Sequence, residues 1–514
     1  MFRGGWSAVM ALLVAPAALA AEAGALADAS MNGDLVAMHA LLKEHANPNA
    51  PGAFGTPALH WRVHMDDVAE AKRLLKAGAD PNGLTERGIT PLTLAIANGN
   101  AEMVALLLKA GADAKHSEPS GETHLMMASQ VGVLAIVEDL LKHGAPVDVR
   151  DPNYGQTALM FAARAGHADV VSALLAHHAN PNAATDVGEI PPFIKPNSVP
   201  GFGFGVGILR GGVPAGRGRR EPIPGGMTPL LYAARHNQLE VAKRLIAAGA
   251  DVNAKEANGI WPLLMAISND NMAVAHYLLE HGSNVNGSDW YGRSPLWEAV
   301  NVRNLYVHNA TFKNGIDRAP VLELIRSLID AGADVNARTK ETPPFRHFLL
   351  EITGSLEWVD FTGQTPFLTA ALAGDVTVMK LLLAHGANPR IDTYHGTSPL
   401  MAAAGVNWVL AQTWTEGPDQ LLEAVKLCVD LGMDVNQRNS MGITALQGAA
   451  NRGSDDIVRF LVAHGADLTV QDNEHRSALD WSKGVFLATH PPQPKPSTMA
   501  LLTDLLKQQG KEIR

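Results

Sequence analysis

The sequence predicts an all-α repeat solenoid, and three observations carry that reading. Distant stretches of the chain superpose without a gap, as GITPLTLAIANGNAEMVALLLKAGADAK (88–115) does on GMTPLLYAARHNQLEVAKRLIAAGADVNAK (226–255). The same holds for GQTPFLTAALAGDVTVMKLLLAHGANPR (363–390) and GITALQGAANRGSDDIVRFLVAHGADLT (442–469). Each stretch reads as two short apolar helices between a Thr entry, Thr-Pro in three of the four, and a Gly exit. The repeats, with a few inserts, account for nearly all of the length, and 514 residues is too long for one ordinary core.

Taking the Thr-Pro-Leu position as a ruler, repeats begin at Thr56, Thr90, Thr123, Thr157, Thr228, Trp261, Ser294, Thr365, Ser398, Thr444 and Ser477. A degenerate first repeat within 26–52 brings the count to about twelve. A Thr or Ser at the ruler position suits the N-cap of the first helix, and the Pro after it loses no hydrogen bond there. The following Leu and Ala (Leu230, Ala233, Ala234) make a small-residue seam for close packing. Paired aliphatics such as Leu245 and Ile246, or Leu381 and Leu382, mark the inward side of the second helix. Gly111, Gly249, Gly332, Gly386 and Gly465 end that helix in the left-handed region. Asp-x-Asn (Asp251 and Asn253, Asp334 and Asn336, Asp434 and Asn436) then shapes the turn through side-chain bonds to backbone. One repeat cannot bury its own apolar faces, so stacking supplies the core. The degenerate first repeat and the polar end LLKQQGKEIR read as caps.

This pattern resembles the ankyrin-repeat family, whose unit is a turn and two antiparallel helices over about 33 residues. The resemblance implies an ankyrin stack with β-turn fingers. Fingers and first helices then line a concave face on which a protein partner docks.

The N-terminus reads as an export signal over residues 1–20. Arg3 and the free amine precede an apolar run from Trp6 to Ala15, and Ala18-Leu19-Ala20 is an A-x-A cleavage site before Ala21. The expected location is the bacterial-type periplasm or the exterior; an uncleaved leader would make it cytoplasmic. Repeats one to five then occupy 21–182 and repeats six to twelve 226–514. No later run reaches the length that spans a bilayer. The single cysteine, Cys428, sits at an inward helical position and reads as a small core residue. Burial, not disulfides, must therefore hold the fold.

The net charge of −10 argues against a nucleic-acid partner. Of the 20 histidines, His143, His177, His281, His385 and His464 stand in the last turn of second helices, where they meet unsatisfied carbonyls. His45 and His178 take the glycine position itself. Stacked repeats hold such histidines too far apart for one metal, so no metal is expected. GFGFGVG (201–207) lacks the strand and helix that a phosphate-binding loop needs. No G-x-S-x-G, H-E-x-x-H or paired Cys-x-x-Cys occurs, so neither a cofactor nor an enzymatic activity is expected.

Inserts depart from the repeat at 183–225, 303–319, 340–360, 406–418 and 487–498. The first is Pro/Gly-rich and basic, with Arg217, Arg219 and Arg220 beside Arg210 and three phenylalanines, Phe193, Phe202 and Phe204. It reads either as a solvated loop or as an arm that grips an acidic partner. Tryptophans concentrate in repeats seven to ten: Trp290, Trp297, Trp358, Trp408 and Trp414, with Tyr291 and Tyr394 at finger positions. Either they form small satellite cores or they anchor an interface. The expected function is a non-catalytic, monomeric scaffold for an unidentified protein, using these aromatics and the basic arginines. A Trp-lined small-molecule or glycan receptor and an accessory subunit of an exported oxidoreductase are the alternatives.

Overall fold

A computed structural model describes residues 24–188, 225–305, 318–340, 362–407, 416–484 and 493–511. The expected leader 1–20 lies outside these residues, as does most of each predicted insert.

The chain divides into two compact parts, one running to residue 188 and resuming over 225–251, the other beginning at Val252. Among the described residues each part holds six antiparallel helix pairs. In the N-terminal part they are Ala25–Met31 with Leu35–Lys43, Ala58–His64 with Val68–Lys76, and Pro91–Ala97 with Ala101–Lys109. His124–Val131 with Leu134–Lys142, Ala158–Ala165 with Ala168–Ala176, and Pro229–Arg235 with Leu239–Ala247 complete it. The C-terminal part holds Pro262–Ser268 with Met272–Glu280, Pro295–Leu305 with Ala319–Asp330, and Pro366–Ala373 with Val376–Ala384. Pro399–Ala404 with Pro418–Asp430, Ala445–Arg452 with Asp455–Ala463, and Ala478–Ser482 with Pro496–Gln508 follow. These pairs are the twelve repeats. None of these helices is long and apolar enough to cross a membrane.

The local logic holds with two exceptions. Thr90, Thr228, Thr365 and Ser398 each accept a backbone N–H at the N-cap and are followed by Pro. Thr56 does not. Its hydroxyl donates to the Phe54 carbonyl, and Pro57 takes the N-cap of the second repeat, one residue later than the ruler expects. At Thr157 the buried hydroxyl has no partner. Second helices bury one side only: Val241, Ala242 and Leu245 are enclosed, whereas Ile246 is half-buried. His143, His281, His385 and His464 bond through Nδ1 to carbonyls four residues back, at 2.7–2.8 Å. His45 and His178 adopt φ of 59° and 67°, in the left-handed region. Cys428 is fully buried, and burial pushes its thiol up to about 12.

The Asp-x-Asn element does more than shape a turn. Its first residue makes the local bond, as Asn284 Oδ1 accepts from Asn286 N at 2.9 Å. The Asn reaches into the next repeat. Asn286 donates to the Gly332 carbonyl at 2.9 Å and accepts from Asp334 N at 2.7 Å. Asn49, Asn82 and Asn182 do the same in the N-terminal part, onto Gly78 and Asp80, Gly111 and Asp113, and Gly249 and Asp251. Asn253, Asn336 and Asn436 repeat it in the C-terminal part. A ladder of side-chain bonds thus joins glycine carbonyls that the helix ends would leave open.

The described residues that flank the inserts are of two kinds. Thr185 N donates to Met227 O and Thr339 N to Gln364 O, both at 3.0 Å, so the finger bases on either side of 189–224 and of 341–361 stay paired. Residues 306–317 and 408–415 lie between the helices of repeats eight and ten. Their flanks share one ionic cluster. Arg303 Nε donates to Asp375 Oδ2 at 2.8 Å, Arg318 donates to the same oxygen at 3.3 Å and also pairs with Glu416. Asp375 is almost wholly buried, so two guanidinium groups balance its charge out of water.

Candidate partner-binding surface

Several fingers are closed by a single polar side chain. Asp289 Oδ1 accepts from Tyr291 N and Arg293 N, and Glu256 Oε1 from Asn258 N and Ile260 N. Thr85, Thr393 and Asn439 hold the same position through Ile89 N, Thr397 N and Ile443 N. Burial raises the carboxyl of Asp289, against the pull of Arg293, and burial likewise raises Glu256. These acids are structural closures and unavailable to a partner.

Successive tips in the N-terminal part touch. A Cβ on Gly55 would lie 2.2 Å from Glu86 Cγ, one on Gly88 3.0 Å from Pro119, and one on Gly121 2.2 Å from Pro152. Asp186 N donates to the Tyr154 carbonyl at 2.9 Å, and Arg150 pairs with Asp186. On this row large apolar side chains stand in water: Phe54 is 77% exposed, Leu84 53%, Tyr154 67% and Val187 60%. Phe54 also holds φ 65°, an uncommon conformation for a bulky residue. Glu122, beside the row, has its carboxyl raised by burial and then by Asp151 and Glu118. In the C-terminal part Tyr394 is 55% exposed, with the Arg338 guanidinium 4.3 Å over its ring. Arg338 is fixed there by a 2.6 Å bond to the Asp392 carbonyl.

The residues expected to bind fall into three groups. Tyr394 is exposed at a finger, and Trp290 is half-buried at another, its backbone N–H donating to the Asn258 carbonyl at 3.2 Å. Tyr291 and Trp297 are corrected: they are 5% and 1% exposed, too enclosed to meet a partner. Trp297 sits three residues after Ser294, the slot that Leu231, Leu264 and Leu368 fill in other repeats, so it is a core side chain. Tyr291 folds back toward Arg293, 5.8 Å from its ring. Trp358, Trp408, Trp414, Arg217, Arg219 and Arg220 lie outside the described residues. Trp261 and Trp481 are packed. Sequence reasoning missed Phe54, Leu84, Tyr154 and Val187. The available signal was an apolar residue in a finger, where closure needs only the polar residue and the glycine.

Among the described residues no group of three or more His, Cys, Asp or Glu side chains could hold a metal ion.

A family model described as ankyrin repeats (3 copies) matches residues 26–118, 111–185, 230–339 and 417–483, and a single-repeat model matches 362–394. The chain is 36% identical over 124 residues to human ankyrin repeat domain-containing protein 63, which covers 23% of this chain and 30% of that protein. It is 25% identical over 169 residues to alpha-latrocrustotoxin-Lt1a of Latrodectus tredecimguttatus, 33% of this chain and 10% of the toxin. The chain thus spans less than a third of the length of these relatives. A solved structure, the human ASB11 ankyrin repeat domain, aligns with TM-score 0.37 and 23% identity over 54% of this chain and 97% of that one. With the ankyrin models matching well over half of its residues, the chain belongs to the ankyrin-repeat family.

Proposed function

We propose that this chain is a non-catalytic scaffold that binds a protein partner through its finger tips. The carrying observation is the row of exposed Phe54, Leu84, Tyr154 and Val187 on fingers that touch one another. Exposed large apolar residues in one row are poor in water and good in an interface, where aromatic anchors supply most of the binding energy. The backbone of the row is held by the stack before a partner arrives, so little backbone entropy is lost on docking. Tyr394 offers a comparable anchor in the C-terminal part, with Trp290 on an earlier finger there. Export by residues 1–20 places the partner in the envelope or outside the cell.

The test is site-specific photocrosslinking in the producing cell from positions 54, 154 and 394, with position 138 on a second helix as control. A discrete adduct from finger positions, absent from the control, is expected. The double variant Phe54→Ser/Tyr154→Ser should then lose at least tenfold in affinity for the crosslinked protein, since anchors typically cost over 1 kcal/mol each. Adducts only from position 138, or unchanged affinity of a folded double variant, would refute the assignment.

A further inference from the structure

The third finger of the N-terminal row encloses a histidine cluster that partner binding does not explain. His124 opens the first helix of the fourth repeat, where six other repeats place Pro91, Pro229, Pro262, Pro295, Pro366 and Pro399. Its side chain is wholly buried. Nε2 lies 3.0 Å from Thr93 Oγ1 and 3.3 Å from Thr90 Oγ1, and Thr93 in turn donates to Glu118 Oε1. Because the Thr93 proton goes to Glu118, Nε2 carries the hydrogen and donates to Thr93. The other nitrogen, Nδ1, is then a bare lone pair, buried without a partner. The His116 ring stands 5.4 Å from that of His124, and its own Nε2 is also buried without a partner, as is Glu118 Oε2.

We propose that this cluster is an acid-sensitive latch: a proton on His124 opens the joint between the third and fourth repeats. A proton arriving at Nδ1 makes a buried cation whose facing acceptor is the Asp113 backbone carbonyl alone, a costly state in a low-dielectric interior. The charged and titratable groups around it do not repair this. His116 opposes the cation, while the backbone carbonyl and the carboxylate of Asp113 favour it by less than burial and His116 cost. Glu118 Oε1 is 3.9 Å from Nε2 and already engaged by Thr93. Glu122 stands on the finger itself, and Asp151 and Arg164 face it from the following repeat. His60, with Asp80 near it, fills the slot of Thr93 in the preceding repeat. Burial, then His116, hold His124 down at about 4 from its ordinary 6.5. The folded joint therefore resists protonation while the opened joint accepts it. Stability from this group is complete above pH 6.5 and is lost as pH falls toward about 4.

Hydrogen exchange of the full chain, corrected for the intrinsic pH dependence, reads the latch directly. Between pH 6.5 and 4.5 the opening of amides in 116–128 should grow about five- to sevenfold per pH unit, approaching the tenfold limit for one proton. Amides in 445–463, in the C-terminal part, serve as reference and should show no such slope. His124→Gln keeps an N–H for Thr93 but cannot be protonated, and it should flatten the slope in 116–128. His124→Pro, which restores the residue of six other repeats, should do the same if the Gln variant folds poorly. A slope that persists in both variants, or is matched in 445–463, or is missing from the wild-type protein, overturns the proposal. None of these readouts depends on a partner.

Discussion

Replacing Asn286 with Ala removes one rung of the side-chain ladder and nothing else, because the local turn bond uses Asn284 Oδ1 and the backbone of residue 286. Two hydrogen bonds disappear, to the Gly332 carbonyl at 2.9 Å and from Asp334 N at 2.7 Å. A net intramolecular hydrogen bond contributes about 0.5–1.5 kcal/mol, and these partners are exposed enough for water to replace the Asn. The expected loss is therefore about 1–2 kcal/mol, at the lower end of the two-bond range. Urea unfolding followed by tryptophan fluorescence measures it, since Trp261, Trp297 and Trp481 are all buried in the C-terminal part. The midpoint should fall with the slope unchanged. Asn286→Asp separates the ladder from turn shaping. Asp forms local turns as well as Asn does, but here it keeps the acceptor, loses the donor and sets a carboxylate against the Gly332 carbonyl. It should cost at least as much as Ala. An Asp variant as stable as wild type, or an Ala variant within about 0.3 kcal/mol of it, would refute the ladder as a stabilising element.

Two further outcomes follow from buried charge and a buried thiol. Asp375→Ala leaves Arg303 and Arg318 without their shared counter-ion, so it should destabilise the C-terminal part by about 3 kcal/mol; calorimetry showing under 1 kcal/mol would remove the cluster from the list of stabilising contacts. Cys428, with its thiol pushed up to about 12 by burial, should resist maleimide at pH 8 until urea unfolds the chain. Rapid stoichiometric labelling of the native protein would contradict its placement.

The repeat was legible because its rules are local. The Thr90 cap, the Pro91 that follows it and the left-handed Gly111 are each dictated by their own neighbours in sequence. The frame slipped by one residue at Thr56, and counting back from Ala77-Gly78 rather than forward from a Thr would have placed Pro57 at the cap. What the sequence did not reveal depends on the adjacent repeat. The Asn of Asp-x-Asn looks like a turn residue in one dimension, while its partners lie about thirty residues away. Trp297 and Trp290 differ by seven positions, one in a core slot and one on a finger, and aromatic content alone cannot sort them. Tyr154 and Phe54 were passed over because a lone apolar residue in a loop carries no periodicity. Their meaning comes from the tips on either side.

The cluster of Arg303, Arg318, Asp375 and Glu416 bears on how such a chain changes over evolutionary time. It clamps Arg303, Arg318 and Glu416, which flank two inserted stretches, to the stack itself, so a change of sequence between 305 and 318, or between 407 and 416, leaves this anchoring in place. The same residues are attachment points for grafted sequence: a foreign peptide placed between Leu305 and Arg318 inherits an anchored base, and the ankyrin stack becomes a display frame.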